Sequence, residues 1–234
     1  MVSVPLLVIF AVFSLASWIV SSQLKSRFKK YSKSLLPSGL SGREVAEKML
    51  NDNGITNVKV LSVPGQLSDH YNPSNKTVNL SPEVYGGRSV AAAAVSAHEC
   101  GHAIQHAKAY APLKMRSALV PLQNVSAKLL NIIFIGMFAG AMILPGLISF
   151  DLALLVIIAC YGIFAAFALI TLPVEINATQ RALAWLNNAG ITGGRNHQEA
   201  KDALKWAAYT YVVAALSALA TLLYYIMIFF SRRD

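Results

Sequence analysis

The chain's 234 residues are 55% hydrophobic and only 13% charged, with a mean hydropathy of +0.50. Ordinary soluble domains carry about a quarter of their residues charged, so this composition excludes one. The formal net charge of +9 comes without aromatic–basic interleaving, which argues against nucleic acid and for contact with anionic headgroups.

Four stretches concentrate the apolar residues: 4–20, 129–150, 152–173 and 207–230. At roughly 1.5 Å rise per residue, each is long enough to cross a hydrocarbon core of about 30 Å. The first has no Lys or Arg before Lys25 and no small-residue cleavage site after it, so it reads as an uncleaved anchor rather than a signal peptide. Lys25, Arg27, Lys29, Lys30 and Lys33 follow it directly, and a basic linker runs to about Ser38.

Ser41-Gly-Arg-Glu44 is a capping box that opens a helix over 43–51, stopped by Asn53-Gly54. The segments 58–63, 68–71 and 76–80 read as three short strands, with a turn at 72–75. Ser81-Pro82-Glu83 starts a short turn, and a helix is expected from Ser89 to about Lys108. Pro112 and Pro121 are expected to break the approach to the second span, and Pro173 to end the third. A helix over 174–187 then closes at 188–190, and Gly193-Gly194 reads as a break between helices. Asn196-His-Gln-Glu199 reads as a second capping box, opening a helix that could run unbroken into the fourth span. The expected division is an anchor at 1–22, a catalytic region at 23–128, a hairpin at 129–173, a helix and loop at 174–206 and a final span at 207–234.

Lys and Arg stay on the cytoplasmic side during insertion. Lys108, Lys114, Arg116 and Lys128 precede the second span, and Arg181, Arg195, Lys201 and Lys205 lie between the third and fourth. The 145–151 turn has neither. Segments 21–128 and 174–206 are therefore expected in the cytoplasm and the turn outside, with Arg232 and Arg233 outnumbered on the outer side. Cys100 and Cys160, the only cysteines, form no disulfide framework, in keeping with a reducing compartment.

Three of the five histidines fall in one stretch of small residues, at His98, His102 and His106. His98-Glu99-Cys100-Gly101-His102 is an H-E-x-x-H motif, expected by chance fewer than about 0.01 times in such a chain. Helical residues four apart share a face, so two imidazoles can meet one Zn²⁺ at about 2.0–2.1 Å. Glu99 is rotated by about 100° from His98 and need not ligate. It suits the proton of a water activated by the metal. His106 lies two turns beyond His98 and reads as a polar helix end, because the metzincin spacing would put a third histidine at 108, which is Lys108. A third ligand must come from the same side of the membrane, after an even number of spans. Glu175 meets this condition, at the expected start of a helix whose dipole would favour a carboxylate. His70, Glu83, His197 and Glu199 share that side, and Asp151 does not. His70, Tyr71 and Arg181 are candidates for stabilising an oxyanion, and the strands around 68–80 offer an edge for an extended substrate.

The segments Asp69-His-Tyr, Leu80-Ser-Pro-Glu-Val-Tyr85, Ala97-His-Glu-Cys-Gly-His-Ala-Ile-Gln105 and Leu172-Pro-Val-Glu-Ile-Asn-Ala-Thr-Gln-Arg-Ala182 resemble the YugP-like neutral zinc metallopeptidases of bacteria over nearly the whole chain. A more distant similarity is to HtpX-type membrane proteases, where transmembrane helices likewise separate the motif from a later glutamate. The resemblance implies His98, His102 and Glu175 as zinc ligands and Glu99 as catalytic base. HtpX-type enzymes carry an aspartate four residues after the ligand glutamate. Here that place is Thr179, which shares the Glu175 face and is a candidate to orient a ligand histidine. The expectation is a mainly α integral membrane protein with about four transmembrane helices and a small α+β zincin-like catalytic region on the membrane surface. Its implied function is zinc-dependent hydrolysis of peptide or membrane-protein substrates in the inner membrane. The alternative is a non-proteolytic, zinc-stabilised scaffold.

Overall fold

The computed structural model describes residues 4–142 and 149–232, without the side chains of 138–142. It is mainly helical, with one small sheet. Four helices are long and apolar enough to cross a membrane: α1 (Val4–Tyr31), α5 (Ala111–Met142), α6 (Phe150–Asn188) and α7 (Gly194–Ser231). Residues 143–148, most of the expected 145–151 turn, lie outside the described residues, as does Arg233.

The chain forms two compact units. One comprises 1–17, 115–172 and 211–234; the other comprises 18–114 and 173–210. In the first, Leu130 and Ile133 of α5, Leu154, Ile157 and Cys160 of α6, and Tyr225 of α7 share a buried apolar cluster. The Arg232 guanidinium lies 4.2 Å from the centre of the Phe150 ring and 3.8 Å from the Asp151 carboxylate. Its positive charge is thus answered locally.

The second unit contains the remaining elements. Helix α2 (Gly42–Asp52) opens with the expected capping box: Glu44 N–H donates to the Ser41 hydroxyl, and Ser41 N–H donates to the Glu44 carboxylate. Such a cap is worth about 0.5–2 kcal/mol. Strand β3 (Thr77–Leu80) is the centre of the sheet, parallel to β1 (Lys59–Ser62) and antiparallel to β2 (His70–Asn72). All four β3 residues are buried, whereas both neighbours are edge strands with exposed positions. The short helix α3 (Pro82–Tyr85) follows, with proline in its first turn. Helix α4 (Val90–Ala107) starts at the Ser89 hydroxyl, which accepts the Ala92 N–H at 3.2 Å. Its alanines at 91–94 are all buried, and their small side chains let it run through the core beside Val45 and Met49 of α2 and Val78 and Leu80 of β3.

Several expectations about boundaries are corrected. Pro112 sits in the first turn of α5, where a proline removes no helical hydrogen bond, and Pro121 lies inside that helix. Pro173 lies inside α6, which continues to Asn188. An internal proline removes one hydrogen bond, and the many remaining bonds of a helix this long keep it continuous. Glu175 is consequently a mid-helix residue, not one at a helix N-terminus. Helix α7 begins at Gly194, so Asn196 lies within it and caps nothing; the Glu199 carboxylate takes Arg195 Nε at 3.0 Å instead. The break near Gly193-Gly194 is present as the connection from α6 to α7.

Candidate metal centre

Three elements meet at the site: α4, the stretch of α6 after Pro173, and β2. On α4, His98 and His102 stand one turn apart, with ring centres 4.8 Å apart in an edge-to-face arrangement. Opposite them, Glu175 Oε2 lies 3.3 Å from His98 Nε2 and 3.4 Å from His102 Nε2. The third side chain can come this close because α4 carries Gly101 at the crossing. A Cβ there would sit 2.6 Å from the main-chain oxygen of Ala178, three residues after Glu175. Any larger residue would push the two helices apart.

The donor set fits a metal ion. One nitrogen from each histidine and one carboxylate oxygen lie within 4.8 Å of one another, the only such group among the described residues. Zinc bonds of 2.0–2.1 Å in a tetrahedron place neighbouring donors about 3.3–3.4 Å apart. The two carboxylate–imidazole separations match that edge length. All three residues are largely shielded from water, Glu175 at 2% exposure.

The far nitrogen of each ring is also held. Gln105 Nε2 donates to the main-chain oxygen of Val174 at 2.8 Å and to Asn177 Oδ1 at 3.1 Å. That fixes its amide, so Gln105 Oε1 faces His102 Nδ1 at 3.1 Å and accepts its hydrogen. His102 therefore presents the lone pair of Nε2 toward Glu175. Thr179 Oγ1 lies 3.2 Å from His98 Nδ1, the place expected for it. Burial alone would make His102 harder to protonate, but the adjacent Glu175 carboxylate outweighs it and raises its proton affinity. Proton and metal compete for the same Nε2 lone pair.

Glu99 points elsewhere. Its Oε2 accepts the main-chain N–H of Tyr71 at 2.9 Å, which ties the motif helix to β2. The Tyr71 hydroxyl meets His106 Nδ1 at 2.8 Å, and burial pushes the Tyr71 phenol up, keeping its proton on. Of the other candidates, His70 has Nδ1 against Ser68 O and Nε2 against the Asn79 amide. Arg181 Nε is spent on Asn177 Oδ1 at 2.7 Å. His197 pairs with the Thr192 hydroxyl, and Glu83 accepts from Gln66, so neither joins the cluster. Cys100, inside the motif, turns away toward the Ala46 carbonyl. Burial raises its thiol well above the ordinary range, so it stays protonated. Sequence reasoning missed Gln105 and the Tyr71–Glu99 contact. Gln105 stands three residues past His102 in a buried helix, and a long polar side chain at such a position needs partners; that was the available signal.

A family model described as "Putative neutral zinc metallopeptidase" matches residues 6–230, so the chain belongs to that family. It is 39% identical over 225 residues to a Bacillus subtilis (strain 168) protein named "Putative membrane protease YugP", covering 96% of each chain. No solved structure matches.

One metal-affinity series tests the supports. Gln105→Leu and Thr179→Val each remove the partner of a ligand's far nitrogen and are expected to weaken zinc binding about 10–100-fold while the protein stays folded. Gly101→Ala forces the helices apart and is expected to weaken zinc binding at least as much, with a fold loss of about 1–3 kcal/mol. Competition with a chelating dye and thermal melts read the two effects. Unchanged affinity in all three variants would contradict the role assigned to these supports.

Proposed function

We propose that the protein is a membrane-embedded zinc metallopeptidase that cleaves peptide bonds in peptide or membrane-protein substrates on the cytoplasmic face. The observation that carries this reading is Glu99. A purely structural site would be closed by protein ligands and would need no carboxylate beside it. Here a largely buried carboxylate stands one residue from a ligand histidine, held by a main-chain N–H from the sheet.

His98, His102 and Glu175 would hold the zinc. When bound, zinc would polarise the scissile carbonyl and make a water acidic near neutral pH. Glu99 takes the proton from the attacking water with the carboxylate oxygen that Tyr71 N–H leaves available, then returns it to the departing amine. The Tyr71–Glu99 bond limits the carboxylate's rotation, so the base is aligned before substrate arrives. Of the three oxyanion candidates, Tyr71 is the one whose strand touches Glu99, and its hydroxyl would exchange His106 for the oxyanion when substrate binds. The His106 ring at 2.8 Å orients that hydroxyl.

The bilayer reading rests on the four apolar helices and on their exposed side chains, such as Phe10 at 72% and Met227 at 70%. The cytoplasmic orientation rests on the distribution of Lys and Arg. Arg232, the described residue that opposes it, has its charge answered by Asp151 and Phe150.

Glu99→Gln is expected to keep stoichiometric zinc and lose about 10²–10⁴-fold in peptide cleavage by the purified protein, as for a lost general base. Tyr71→Phe is expected to keep zinc and lower kcat by about a hundredfold with KM nearly constant. Wild-type cleavage by Glu99→Gln would remove Glu99 as the base, and zinc-loaded wild-type protein that cleaves no peptide would return the protein to the scaffold reading. Orientation is read by a membrane-impermeant thiol reagent on intact cells. Ser149→Cys is expected to react and Ser74→Cys to be protected, and the reverse would invert the topology.

A further inference from the structure

The catalytic reading leaves one charged cavity unexplained. In the unit formed by 18–114 and 173–210, a cavity of ≈ 700 Å³ lies between the end of α1 and the loops around Leu67 and Arg88. Lys25, Lys29, Lys33 and Arg88 line it, against one carboxylate, Glu83. The Glu83 carboxylate already accepts the Gln66 amide at 3.0 Å. Lys25 and Lys29 stand one turn apart at the C-terminal end of α1, Lys33 follows in the turn just after it, and all three are exposed. Arg88 is anchored through its guanidinium to Gly39 O and Glu44, which fixes one wall of the cationic set.

The rest of the lining is apolar. Phe28 stands between the lysines, and Leu67 lies across from them. Leu67 is 44% exposed and has φ of +53°, a conformation in which a bulky side chain is strained. The loop therefore spends conformational energy to hold an apolar side chain in the open beside a cluster of cations. Two turns before Lys25 on the same helix face is Trp18, at 68% exposure. An indole followed by lysines along one face suits the level where acyl chains give way to headgroups.

We infer that this cavity binds the headgroup of an anionic phospholipid. The phosphate would sit among the three lysines and Arg88, and the upper acyl chain would lie against Phe28 and Leu67. This goes beyond the peptidase reading but shares its premise that the chain resides in a bilayer. Alkaline extraction of cell membranes tests that premise separately, because it asks only whether the protein stays with the lipid.

The test uses the full-length purified protein with dioleoyl phosphatidylglycerol or dioleoyl phosphatidylcholine, read by native mass spectrometry at increasing detergent wash. The wild-type protein is expected to retain one phosphatidylglycerol with at least about tenfold preference over phosphatidylcholine. Lys25→Gln/Lys29→Gln/Lys33→Gln is expected to lose that preference at least about tenfold, since each basic residue near an anionic surface contributes several-fold. A control, Lys59→Gln/Lys76→Gln/Lys108→Gln, removes the same charge from exposed positions outside the cavity and is expected to bind like wild type. Leu67→Ser is expected to weaken retention of the lipid without abolishing selectivity for the anionic headgroup. Equal loss in the lysine triple variant and its control would make the attraction a diffuse charge effect and overturn the site. Full displacement of the lipid by millimolar inorganic phosphate, or equal retention of both lipids, would overturn it as well.

Discussion

The close crossing of α4 and α6 at Gly101 is the constraint on which the site depends. Two of the three donors are local, because any helix places residues four apart on one face. The third must be delivered by packing, and packing at this crossing leaves no room for a Cβ against the Ala178 carbonyl. Glu175 lies one turn before that contact, which sets its carboxylate at tetrahedral-edge distance from both imidazoles. Gln105 then locks the crossing from both sides. Its side chain holds the His102 ring on its own helix and the Val174 carbonyl and Asn177 on the other. A buried carboxylate and two largely shielded imidazoles are costly to bring together without an ion or a proton between them, and a divalent cation resolves that cost.

Small residues do a second job in the same helix. The alanines at 91–94 carry α4 through the core of its unit, and a polar face built of His98, Glu99, His102 and Gln105 follows directly. Glu99 is turned from the ligand pair and answered by β2 through a main-chain N–H, a donor that no substitution except proline removes. The arrangement separates two directions within five residues: imidazoles toward Glu175, and a carboxylate toward the edge strand β2. The rigidity of that edge rests on β3, whose four residues are all buried.

Much of this was legible in the sequence, for identifiable reasons. The H-E-x-x-H face follows from helical period alone. Counting the expected spans left Glu175 among five candidates with His70, Glu83, His197 and Glu199, and the family resemblance singled it out. Thr179 followed from sharing a helix face with Glu175. Where the reading failed, it weighted a local signal above its surroundings. Pro121 and Pro173 were expected to stop helices, yet both sit inside long apolar ones, where losing a single hydrogen bond does not pay for exposing the rest. Asn196 and Glu199 have capping-box spacing but fall inside α7, which starts at Gly194. The Tyr71–Glu99 bond could not be foreseen, because it joins a main-chain atom to a side chain 28 positions away and depends on strand register.

The central claim is that His98, His102 and Glu175 form one zinc site, and X-ray absorption at the zinc edge of the purified full-length protein tests it most directly. The account predicts one zinc per chain, with a shell of light donors at about 2.0–2.1 Å that includes two imidazoles and no sulfur. Absence of stoichiometric zinc, or sulfur scattering near 2.3 Å, would contradict it.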